Sequence, residues 1–140
     1  MFEKILLAVD GSEHSLHAAR EAGDLARAMK SEILRIVVAF EGIPAYLGEP
    51  NMEQAIEARL QAANGILQKA QDAVGAIPGE IHTELIEGSP ADAIINVAKT
   101  RGSTVIVMGS RGMSAIAELV LGSTSHKVVS HASCPVLVVR

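Results

Sequence analysis

Apolar and polar positions fall into blocks along this chain, and the period changes from block to block. Ile5–Val9 is a continuous apolar run of strand length that stops at Asp10-Gly11-Ser12. Ser12 is placed to cap a helix, with Glu13 in the first turn, where negative charge is favoured. Leu16, Ala19, Ala22, Ala26 and Met29 then recur on one helical face, with Leu25 beside them. Ile33–Phe40, with β-branched Ile36, Val37 and Val38, is the next strand. Glu41–Pro50 carries two glycines and two prolines and reads as a loop. Asn51 can cap a longer helix whose apolar stripe is Met52, Ala55, Ile56, Ala63, Ile66, Leu67, Ala70 and Val74. Arg59 breaks that stripe, and Gly75 and Pro78 end it.

Glu80–Glu87 sets Ile81, Thr83 and Leu85 against His82, Glu84 and Ile86, a strand more exposed than the others. Gly88-Ser89-Pro90 supplies a turn, an N-cap and a proline at the first helical position. Ala91, Ile94, Ile95 and Ala98 form the inner face of a helix ending near Arg101-Gly102. Val105–Met108 reads as a strand buried on both faces. Ser123–Ser133 is the last helix, showing Val128, Val129 and Ala132 on one side, and Pro135–Val139 the last strand. Strands alternate with helices throughout, which predicts an α/β fold with a five-stranded parallel sheet and helices on both faces. Strand order 3-2-1-4-5 puts the ligand crevice between the first and fourth strands, with Asp10 and Gly109 on its two sides. One domain over residues 1–140 is expected, with no second domain, linker or repeat.

Composition changes this picture in a few places. Hydrophobic residues make up 49% of the chain but aromatic ones only 2%, so the core must be aliphatic and alanine-rich. A net charge of −4 removes the general basic footprint of a nucleic-acid binder, and no nucleic-acid partner is expected. The apolar core of the N-terminus is too short for a signal peptide, and no run approaches the ~20 residues of a membrane span. No membrane partner is expected, and a cytoplasmic location is. The single cysteine, Cys134, permits no intrachain disulfide and reads as a small packing residue.

Candidate chemistry concentrates after the fourth strand. Gly109 and Gly112 have two residues between them, and Gly122, Ser123 and Thr124 stand just before the last helix. Glycines let main-chain N–H groups approach a bound group, and a helix N-terminus adds unpaired donors and the positive end of the macrodipole. The expectation is a phosphate cradle at the carboxyl end of a central strand. Arg111 sits where its guanidinium could meet phosphate, and Asp10 is at the strand end, where a carboxylate could share Mg²⁺ with phosphate oxygens. The histidines lack the spacing of a zinc site: His14 and His17 are three apart, His126 and His131 five. There is no G-x4-G-K-[ST] and no G-x-G-x-x-G after the first strand, which argues against a Walker-type NTPase and a dinucleotide site.

Val9-Asp10-Gly11-Ser12 together with Gly109-x2-Gly112-x9-Gly122-Ser123-Thr124 resembles the universal stress protein family, in its ATP-binding branch. The resemblance covers essentially the whole chain, closing Cys134–Val139 included, and implies a Rossmann-like fold of the adenine nucleotide α-hydrolase type. It also implies ATP with Mg²⁺ or Mn²⁺, the triphosphate lying against Gly109, Arg111, Gly112, Gly122, Ser123 and Thr124. By the same resemblance Asp10 lies near the phosphates and their metal, and Ala8 and Val9 line the floor. Phe40 offers its backbone to adenine, and Met108 and Gly88 stand in the cleft wall. Residues 41–50 are short and proline-marked for the family.

Val136, Leu137, Val138 and Val139 form a bare apolar edge strand, a pairing hazard that antiparallel association about a two-fold axis would cover. A homodimer through this strand is expected, and the family resemblance implies the same. The functional expectation is a regulatory ATP-binding module of the stress response with at most slow hydrolysis, since Asp10 is the one carboxylate assignable to the phosphates. The alternatives are a slow ATPase or autophosphorylating phosphotransferase using Ser123, Thr124 or Ser110, and a nucleotide-free dimeric interaction module.

Overall fold

The computed structural model describes residues 1–42, 48–111 and 121–140. Its elements run β1 (Lys4–Ala8), α1 (Glu13–Met29), β2 (Ile33–Phe40), α2 (Asn51–Val74), β3 (Glu80–Glu87), α3 (Pro90–Arg101), β4 (Val105–Gly109), α4 (Ser123–His131) and β5 (Val136–Val139). The strands form one parallel sheet in the order β3-β2-β1-β4-β5. The chain therefore reverses its winding direction between β1 and β4, where Ala8 is in register with Met108. In sheets of this kind the helices following the two strands leave on opposite faces and open a crevice beyond the strand ends.

Alternation along the strands sorts the core into two layers. Ile5, Leu7 and Val9 of the first strand region pack with Leu34, Ile36, Val38, Val105 and Val107 against Ala18, Ala19, Ala22 and Ala26 of α1 and the far half of α2. Leu6, Ala8, Val37, Ile106 and Met108 point the other way, against Ala91, Ile94, Val97 and Ala98 of α3 and Val128 of α4. With so few aromatics, close helix approach replaces bulk. A Cβ on Gly23 of α1 would lie 2.3 Å from the carbonyl oxygen of Val74 in α2, so these helices touch backbone to side. Arg27 of α1 ties the same end, donating to the carbonyls of Val74 and Ala76 at 2.8 and 3.0 Å. The first of these bonds supplies a partner for the last carbonyl of α2, left free by the helix geometry.

Several local expectations shift. Met29 is 39% exposed rather than on the inner face of α1; it is the last helical residue, and Lys30 ends the helix after it in the left-handed conformation. Asn51 is the first helical residue of α2 and does not cap it; Pro50 holds the cap position without a side-chain bond. The last helix closes at His131 rather than Ser133, and Val129 faces outward while Val128 is fully buried. At β3 the exposed charged residues are Glu80 and Glu87 at its two ends, and the half-buried Glu84 bridges Arg35 of β2 and Arg101 of α3.

Candidate functional site

The crevice is built by two turns and two helix starts. After β1, the Val9 amide still pairs with the Val37 carbonyl at 3.0 Å, and then the chain leaves the sheet at Asp10. The Asp10 carboxylate accepts from the Ser12 amide at 2.9 Å and the Ser12 hydroxyl at 2.6 Å through the same oxygen. Ser12 in turn caps α1, its hydroxyl oxygen accepting from the Ser15 amide at 3.2 Å. An acidic side chain folded onto the backbone two residues ahead is a self-contained turn, which fixes where the carboxylate sits at the strand end.

After β4 the chain is held just as firmly. The Ser110 amide donates to the Val139 carbonyl, so the edge strand anchors this turn. The Ser110 carbonyl accepts from the Gly122 amide at 2.7 Å and from the Ser125 hydroxyl at 2.8 Å. That double clamp fixes the start of α4 to the end of β4. Gly122 is the N-cap residue, in extended backbone at φ −70°, ψ 167°, and has no side chain to cap with. The N-cap residue thus makes no side-chain cap bond to the first turn of α4, where the positive end of the helix macrodipole lies.

Neither Gly109 nor Gly122 works through positive φ. Gly109 ends β4 where a Cβ would lie 2.8 Å from both the carbonyl carbon and the Cβ of His14, and 3.0 Å from the Ser15 nitrogen. Its role in the fold is to let the first turn of α1 lie directly on the end of β4. Gly112 lies outside the described residues.

Beside these turns runs a cleft of about 370 Å³ lined by Asp10, Val38, Ala39, Phe40, Ala58, Arg59, Ala62, Ala63 and Ile66. Its walls are the end of β2 and the first half of α2. Of the expected stripe on α2, Ala63, Leu67, Ala70 and Val74 are buried in the core, whereas Ala58 and Ala62, outside that stripe, border the cleft and stay exposed. Spacing reads Arg59 as a break in the stripe and leaves Ala58 and Ala62 off it, so it carries no signal that these three residues border a cleft.

Of the other anticipated positions, Ala8 and Met108 are register partners in the layer facing α3 and α4, each nearly buried. Val9 packs on the opposite side, in the layer of α1 and α2. Phe40 ends β2 with its carbonyl accepting from the Gly88 amide at 2.8 Å, so Gly88 meets the site through that backbone bond. Arg111 follows the Ser110 turn, and Ser123 and Thr124 open α4. Ser125, which clamps the turn, was not foreseen. The only available signal was its position three residues beyond Gly122, where a hydroxyl can reach back toward the cap. Among the described residues, no three His, Cys, Asp or Glu side chains come together as a metal cluster. His14 and His17 stand edge to face with ring centroids 6.4 Å apart. Burial pushes the Cys134 thiol up, in keeping with a packing role.

A model of the universal stress protein family matches residues 1–140. The chain belongs to that family. A universal stress protein from Thermus aquaticus is 45% identical over 140 residues, the alignment covering all of both chains. Among solved structures, the universal stress protein UspA from Lactobacillus plantarum superposes with a TM-score of 0.87 at 26% identity, covering 99% of this chain and 98% of that one. A universal stress protein in complex with cAMP aligns with a TM-score of 0.69 at 28% identity, covering 99% and 97%. Parallel order 3-2-1-4-5 with helices on both faces is the fold these universal stress proteins share. No helix among the described residues is long and apolar enough to cross a membrane.

Proposed function

We propose that residues 1–140 act as one ATP-binding regulatory module, with the phosphates at the start of α4 and the base in the cleft between β2 and α2. The observation that carries this reading is the uncapped N-terminus of α4, clamped by Ser110 to the carboxyl end of β4 at the switch point. Backbone donors held there without a side-chain cap suit an anionic group. Gly122, Ser123 and Thr124 supply those donors, with Gly109, Gly112 and Arg111 on the approach. Ala8 and Val9, at the end of the first strand, are the floor positions, Met108 and Gly88 the wall positions, and Phe40 offers its backbone to the base. The apolar cleft alongside, walled by alanines and a strand end, suits a flat heterocycle. The cAMP complex of a related universal stress protein supports a nucleotide as the ligand class.

Mg²⁺ or Mn²⁺ would be held by Asp10 together with phosphate oxygens, a donor set of one carboxylate plus phosphate that suits such an ion. The ion would neutralise phosphate charge. Among the described residues Asp10 is the one carboxylate lining the cleft, which supports hydrolysis that is at most slow. For the alternative of self-phosphorylation, Ser110 is 3% exposed, which leaves Ser123 and Thr124 as the accessible acceptors. The module is a homodimer through Val136–Val139, a reading supported by the position of β5 at the end of the sheet and by the 40% exposure of Leu137.

Native mass spectrometry of freshly purified protein, followed by denaturation to identify released small molecules, tests both points. A dimer carrying about one ATP per chain is the expected result. An apo protein that also ignores Mg·ATP in calorimetry overturns the nucleotide reading and leaves the interaction module.

A further inference from the structure

Arg59 occupies an unusual place on α2. It lies three, four and seven residues before Ala62, Ala63 and Ile66, the helical spacing of a single face, and all four line the cleft. Arg59 is exposed, so it stands at the open rim of this apolar face, where its charged head stays in contact with water while the rest of the side chain borders the cleft. Its guanidinium crosses the cleft mouth and donates through Nη1 to the carbonyl of Glu41, the residue just beyond β2. That bond fixes a flat, permanently charged group over a slot whose other wall is Val38, Ala39 and Phe40.

The position along the sheet says which part of a ligand it meets. Arg59 is anchored beyond β2, whereas α4 begins beyond β4, with β1 between them. At roughly 4.8 Å per strand the two ends of the crevice are about 10 Å apart. A ligand with phosphates at α4 brings its base, not its phosphates, to Arg59.

We propose that Arg59 is a base-binding residue of this cleft, its guanidinium lying against the face of a purine and setting affinity for the nucleoside part of the ligand. This rests on the nucleotide reading above. Planar stacking and cation–π attraction are properties of arginine that a lysine ammonium on a flexible stem reproduces poorly on a base face.

The test is calorimetric titration of wild type, Arg59→Met and Arg59→Lys with adenosine, AMP and Mg·ATP at low and high salt, alongside thermal melts. Arg59 is exposed, so both variants should melt with wild type. Arg59→Met is expected to weaken all three ligands by the same factor, roughly 3- to 30-fold, with no salt dependence of that factor. Arg59→Lys should recover little of it. A loss confined to AMP and ATP that shrinks in salt and is rescued by lysine makes Arg59 a phosphate contact and overturns the proposal. Unchanged affinities in both variants reduce it to a strap between α2 and Glu41, which also overturns it while leaving the nucleotide reading intact. Wild type that binds none of the three overturns both together.

Discussion

Replacing Gly109 with alanine separates two explanations for a motif glycine. The added Cβ would lie 2.8 Å from the carbonyl carbon and Cβ of His14 and 3.0 Å from the Ser15 nitrogen, whereas ordinary contact begins at 3.4 Å. The shortfall is about 0.6 Å, and most of what must yield is the backbone of α1 rather than the tip of a flexible side chain. α1 is itself fixed by fully buried Ala18, Ala19, Ala22 and Ala26, which have no rotamers to absorb a shift. Lifting a helix by 0.5–1 Å forfeits roughly a quarter to a half of the dispersion energy of each contact it loosens. Overpacking of this kind costs about 1–3 kcal/mol, and a backbone clash belongs at the upper end. At about 3 kcal/mol the melting temperature of a chain this size should fall by roughly 10 °C. Urea denaturation of nucleotide-free protein, read by far-UV circular dichroism, measures the loss directly. The reasoning is refuted by an unfolding free energy within about 0.5 kcal/mol of wild type, because then the glycine is not needed for packing.

Gly122→Asp should behave in the opposite way. Gly122 already has the extended backbone of an N-cap, so aspartate would cap α4, hold or slightly raise the melting temperature, and set a negative charge where phosphate is proposed. ATP affinity should drop at least tenfold by calorimetry while stability holds; undiminished ATP binding would show that the phosphates lie elsewhere. Glu84→Gln removes the charge shared by Arg35 and Arg101, leaving Arg35, whose side chain is only 13% exposed, without its counter-ion. A loss of about 1–3 kcal/mol in urea is expected, and Arg35→Met in the same background should recover part of it.

The order of elements, their type and most of their bounds follow from local information. Ile33–Phe40 and Glu80–Glu87 begin and end in the structure where the periodicity changes, because period 2 and period 3.6 bury different sets of side chains. The places of Asp10 after β1 and of Gly109 at the end of β4 were legible because parallel βαβ winding leaves few places for a strand end to go. What periodicity could not decide was anything set by a partner distant in the chain. Asn51 has the chemistry of a cap, but the approach of the chain through Pro50 leaves it inside the helix. Gly109 carries the look of a phosphate-loop glycine, yet the space it leaves is filled by α1, ninety-five residues earlier in the chain. Arg59 read as a flaw in an apolar stripe, and only the end of β2 beneath it turned that flaw into the mouth of a cleft. Sequence determined which faces are apolar; tertiary packing decided which of those faces meet protein and which were left open, because that depends on the distance between elements rather than on either element alone.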